Sequence, residues 1–269
     1  MVKKLFKHEF LAYARVMSIV YIILLTVATA NRIIQVFETD TTAYTIISTI
    51  SGLTYGISIF MAFFASFWMG IVRFHRNLFT AEGYLSFTLP VTPTQHILVK
   101  VVTAVCFSLI TIIAALISGC IATAGELLVE IWKALIYLIK EAFEEHGIQT
   151  VLVGIGLAVL LLVGAFANTL LYNTFIAIGQ LSKKNRILAA FGAYFVFYII
   201  SQVVVTVIGI GLSELAFNGV LDRIVMWIDR NPYTATHIGI WGGILLTSLF
   251  GYIEFIVTKT IITKKLNLE

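Results

Sequence analysis

Six stretches of the chain are almost free of charge: residues 16–31, 41–72, 101–125, 147–182, 187–213 and 231–252, the last running on past a single carboxylate at Glu254. A hydrocarbon core about 30 Å thick is crossed by about 20 helical residues, so each stretch with its flanks predicts a transmembrane helix. Backbone N–H and C=O groups find no water in that layer and must pair within the segment, which selects helices. The predicted fold class is all-α, a polytopic membrane protein with six spans forming one transmembrane domain over residues 1–269. Two charge-free stretches exceed one crossing. Residues 147–182 are about 54 Å long as a helix, so the surplus must leave the membrane or bend, and Gly147, Gly154 and Gly156, like Gly52, Gly56 and Gly70 in residues 41–72, are expected places for a bend or for close helix packing.

Three further segments have a helical period with one apolar side. In residues 1–15, Val2, Phe6, Phe10 and Tyr13 form a stripe with Lys3, Lys4 and Lys7 beside it, predicting an interfacial helix on the inner leaflet. In residues 126–147, Glu126, Glu130, Lys133, Tyr137, Lys140 and Glu144 fall on a narrow polar arc, and the rest of the helix is apolar. This element is expected at the outer surface, on the leaflet or over the mouth of a cavity. The connection 214–236 carries a second amphipathic stripe, Leu221, Ile224, Val225 and Ile228, ended by Asn231-Pro232.

Charge adds orientation. Only 12% of residues are charged and 59% are apolar, which excludes disordered and ordinary soluble classes. Of 18 Lys and Arg, thirteen fall on alternate connections: Lys3, Lys4, Lys7, Arg15; Arg73, Arg76, Lys100; Lys183, Lys184, Arg186; and Lys259, Lys264, Lys265. The other connections hold five basic residues and ten of the 14 acids. The positive-inside rule then places both termini in the cytoplasm of a multi-pass protein of the cell membrane. The net charge of +4 reflects these loops, and no basic stripe with interleaved aromatics suggests nucleic acid as a partner.

Candidate chemistry is sparse. No GxxxxGK[ST] phosphate loop occurs, so the chain is not expected to be an enzyme that hydrolyses ATP, and no cofactor is expected in it. The five histidines form no metal-ligand motif, and Cys106 and Cys120 lie about 21 Å apart along one helix, too far to bridge. Within the spans Asn168, Asn173 and Gln202 suit either helix packing or a transport pathway. Glu254 stands out because a carboxylate inside a span is costly.

The longest inward segment, residues 73–100, reads RFHRNLFTAEGYLSFTLPVTPTQHILVK and mixes basic, aromatic and turn residues. Connections between antiparallel helices need about 2–8 residues, so a segment of this length suggests a docking surface. Pro90 and Pro93 should separate it from the third span, with Thr92 or Thr94 as cap, and Gly83 should end a short helix over residues 74–82. Together with IGQLSKKNRILAA over residues 178–190, this segment and the six-span plan resemble the membrane subunit of a type-2 ABC transporter, of the kind common in Gram-positive bacteria. The resemblance implies that the first inward loop couples to a separate ATP-binding subunit through Arg73, Arg76, Glu82, Gly83, Tyr84 and Thr92. A second, smaller contact through Lys183, Lys184 and Arg186 is implied as well. It further implies ATP and Mg in that partner, export of a peptide, lipid or drug-like amphiphile, and a second permease subunit, identical or similar. A secondary transporter and a non-transporting sensor or immunity protein remain open alternatives.

Overall fold

The computed structural model describes residues 2–80, 83, 90–182 and 184–264. Among these residues every regular element is a helix: α1 Val2–Val36, α2 Thr42–Phe79, α3 Pro93–Ala122, α4 Glu126–His146, α5 Ile148–Gly179, α6 Arg186–Phe217, α7 Val220–Arg230 and α8 Pro232–Lys264. Six of them, α1, α2, α3, α5, α6 and α8, are long and apolar enough to cross a membrane. The chain is an all-α, multi-pass membrane protein.

Local chemistry sets the helix ends. Thr41 accepts from Tyr44 N at the start of α2. Thr92 opens α3 with a reciprocal cap, its hydroxyl accepting from Gln95 N while Gln95 Oε1 accepts from Thr92 N at 3.1 Å, and Pro93 occupies the first helical position, where a missing N–H costs nothing. Gly147 joins α4 to α5 at φ +56, a conformation that L side chains avoid. Asn231 closes α7 and Pro232 begins α8, as the sequence predicts.

Two expectations change. The helix over residues 2–15 is present but is not a separate interfacial element, since α1 runs unbroken through the first span. Its Phe10 and Tyr13 rings lie 4.8 and 4.5 Å from Phe107 of α3, so α3 covers this end of the stripe, while Val2 stays exposed. Likewise α2 continues to Phe79, so residues 74–79 extend the second span and no independent short helix starts at Phe74. The glycine expectation is met in part: the chain turns at Gly147 between α4 and α5 and Gly156 packs closely under Ile240, whereas α2 and α5 pass through Gly52, Gly56, Gly70 and Gly154 without interruption, 38 and 32 residues long. At about 1.5 Å per residue both exceed the hydrocarbon layer, and their surplus becomes overhang or tilt.

The chain divides into two compact units, Met1–Glu141 and Ala142–Glu269. In the first, α1 and α2 run antiparallel and both pack on α3, the most deeply buried helix. The facing stripes are regular: Glu9, Tyr13, Met17, Leu24, Ala28 and Asn31 on α1, and Ala62, Ser66, Gly70, Phe74 and Leu78 on α2. Hydrogen bonds cross between helices along their length. Tyr13 donates to the Ser66 carbonyl (3.0 Å), Tyr21 meets Thr111 (2.8 Å), Ser51 donates to Asn31 Oδ1 (2.9 Å) and Tyr55 meets Ser118 (3.1 Å). Each such bond contributes on the order of 0.6 kcal/mol between membrane helices.

In the second unit α5 and α8 run parallel and in register. Small residues set their separation: Gly156 lies under Ile240, Gly243 beside Leu160, and Gly251 against Ala167 and Leu170. The N-terminal part of α6 leans on the end of α5, where Phe175 meets Tyr194 and Phe197. Along its whole length α6 buries no residue.

Candidate functional site

Two polar assemblies stand out, one in each unit. The first sits where α2 ends and α3 begins, on the two stems of the segment 73–100. Its centre is Glu9 of α1, 6% exposed. Arg73 grips this carboxylate with two prongs, Nε donating to Oε1 at 2.8 Å and Nη2 to Oε2 at 2.9 Å. Asn77 Nδ2 donates to Oε2 at 3.3 Å, and Lys100 Nζ donates to Oε1 at 3.2 Å and to the Arg73 carbonyl at 3.5 Å. One acid thus ties the last turns of α2 and the first turns of α3 to the basic part of α1.

The helical period places these groups together. Glu9 precedes Tyr13 and Met17 by one and two turns, so it continues the buried stripe of α1. Arg73 and Asn77 are one turn apart on α2. Immediately beyond the ion cluster, Tyr13 stacks on Phe107 with an interplanar angle of 18°. Phe10, Val20, Tyr21, Ala65, Met69 and Ile110 pack around Tyr13, Met17 and Phe107. The apolar layer holds the helices at the spacing the ions need and keeps water from them. A paired, hydrogen-bonded ion cluster of this kind is not a strong source of net stability, but removing one partner strands a charge and costs about 3–5 kcal/mol. Both Glu9 oxygens already accept from cationic or amide donors.

The coupling residues implied by the resemblance are distributed unevenly around this clasp. Arg73 is inside it. Arg76, one position before Asn77, is exposed, and its carbonyl accepts from the Thr80 hydroxyl. Gly83 is buried and its N–H donates to the Thr80 carbonyl at 2.7 Å. A Cβ on Gly83 would lie 2.7 Å from the Leu78 carbonyl oxygen, so only a glycine fits this close to the end of α2. Thr92 is the exposed cap of α3. Glu82 and Tyr84 lie outside the described residues, as does Lys183. Lys184 is exposed, and Arg186 opens α6.

The second assembly is a polar seam between α5 and α8. Thr174 Oγ1 lies 2.9 Å from Thr258 Oγ1 and donates to the Glu254 carbonyl at 3.1 Å. Next to Thr174, Asn173 is 2% exposed, and its Oδ1 is buried with no hydrogen-bond partner among the described residues; the same is true of Glu254 Oε2. Of the four intramembrane polar candidates, Asn173 and Glu254 thus each bury a side-chain oxygen. Asn168 and Gln202 lie on exposed faces, and the Gln202 carbonyl accepts from Thr206.

Sequence reasoning passed over Glu9, Asn77 and Tyr13 as site residues. A signal existed for Glu9: it is the only acid before Glu38, lies among four basic residues, and keeps the four-residue spacing to Tyr13 and Met17. No family, curated protein or solved structure matches the chain.

Proposed function

We propose that this chain is the membrane subunit of an ATP-driven exporter, moved by a separate ATP-binding subunit that docks on the inward segment 73–100. The observation that carries this reading is the clasp at the stems of that segment. A connector that only joins two spans needs no buried three-helix ion cluster. A segment that receives a push does, because force applied between α2 and α3 otherwise dissipates in the loop. The sequence resemblance over residues 73–100 and 178–190 points the same way, and so does the lack of a phosphate loop, which leaves the motor to a partner holding ATP and Mg.

On this reading the clasp, the basic end of α1 and the start of α6 face the cytoplasm of a bacterial cell, and α4 and α7 face outward. Six helices make a thin wall for a pathway, so a second subunit, identical or similar, completes it around a two-fold axis. Helix α6, apolar and without a buried residue, is available to lipid and to that subunit. The substrate is an amphiphile, a peptide, lipid or drug-like molecule, able to use a route lined by few charges.

The test is purification of the tagged full chain from its native membrane into lipid nanodiscs. A stoichiometric ATP-binding protein with vanadate-sensitive hydrolysis is the expected result. A chain that purifies alone and carries solute down an ion gradient is a secondary transporter. One that purifies alone and carries nothing is a sensor or immunity protein, and either outcome overturns the proposal.

A further inference from the structure

We infer that Glu9 is the positioning residue that makes α1 move with the inward segment, so that α1 and the two stems form one lever. This rests on the reading of residues 73–100 as the receiver of an outside push, and it assigns the transmission to a group that the resemblance does not mention.

Three observations on the first unit carry the inference. Glu9 contacts both stems at once, Arg73 and Asn77 on α2 and Lys100 on α3, and no other acid among the described residues does so. Its side chain is 7% exposed, and those of Arg73 and Lys100 are 18% and 8% exposed, so water is a poor substitute for any of the three contacts. Below the clasp the helices are already joined by the Tyr13–Phe107 stack and by Tyr13 to the Ser66 carbonyl. The ions are therefore not needed to bring the helices together. What they add lies further out, toward the end of α2 and the start of α3, where α1 would otherwise be free to slide along its apolar partners. Apolar contacts tolerate sliding, whereas a two-pronged guanidinium–carboxylate pair fixes both distance and angle.

The experiment follows the α1-to-segment distance. Spin labels are placed on the exposed positions Leu11→Cys and Pro90→Cys of the full chain, with Cys106 and Cys120 replaced by Ala, in phosphatidylethanolamine–phosphatidylglycerol nanodiscs. In the chain alone the expected result is one narrow distance, lost as a broad distribution in Glu9→Gln and regained in Glu9→Asp. A narrow distance in Glu9→Gln overturns the inference. If Glu9→Gln does not accumulate, Arg73→Lys, which keeps both charges but removes the second prong, is read by the same criterion. In the complex with the co-purified ATP-binding subunit, trapping with ATP, Mg and vanadate should leave the distance unchanged in the parent and shift it in Glu9→Gln. A shift in the parent means that α1 and the segment move separately, which also overturns the inference. Failure to recover an ATP-binding subunit counts against the proposed function, while the measurement on the chain alone still decides the role of Glu9.

Discussion

At the scale of single residues, position on a face matters more than residue type. Asn168 and Asn173 are five residues apart on α5, yet one lies exposed and the other is buried, its side-chain oxygen without a hydrogen-bond partner among the described residues. The glycines divide in the same way. A Cβ on Gly179 would stand 2.6 Å from both the Ala190 Cβ and the Arg186 carbonyl oxygen, whereas Gly164 on the same helix has nothing within 4 Å. Gly179→Ala should therefore push the start of α6 away from α5 and destabilise the protein by about 1–3 kcal/mol, the usual range for overpacking. Gly164→Ala should be neutral or slightly stabilising, because alanine is the better helix former by up to about 1 kcal/mol. Thermal unfolding of the two variants in the same detergent checks this, and equal midpoints would remove the close contact from the account.

Among the elements, α4 and α7 pose a different problem from the spans. Both have the strong amphipathic pattern expected of them, yet their apolar sides remain uncovered by the described residues: Leu128, Trp132, Leu135, Ile139 and Phe143 on α4, and Ile224, Val225 and Trp227 on α7, are all exposed. Fully burying a large apolar side chain contributes about 1.5–3 kcal/mol, so water contact over the whole length of α4 would be costly. An interface of headgroups and acyl chains resolves this, with Glu126, Glu130, Lys133 and Lys140 on the wet side. A chain that keeps Trp132 as its only tryptophan should then be quenched strongly by brominated lipid and weakly by iodide. The reverse order would place α4 in water or against protein.

For the whole molecule, the basic bias makes the sharpest statement. Thirteen of 18 Lys and Arg sit on one set of alternate connections, and positive loops stay on the cytoplasmic side of a bilayer. Cysteines introduced at Ser182 should react with a membrane-impermeant maleimide only from the cytoplasm, and those at Lys133 or Asp222 only from outside. Labelling at Lys133 from inside alone would invert the map and remove the inward segment from reach of an ATP-binding partner.

Much of the architecture was legible before any coordinates. Spans, amphipathic helices and the Thr92 cap depend on periodicity, charge exclusion and capping chemistry, all of which act within one segment and can be read along it. The partners of Glu9 could not be read, nor could the covering of Phe10 and Tyr13 by Phe107, nor which of Asn168 and Asn173 is buried. The physical reason is that lipid tails and neighbouring helices are about equally apolar. In water, an apolar stripe announces the core. In a bilayer it is satisfied by either surroundings, so the sequence determined which segments cross and the tertiary structure alone decided which faces meet.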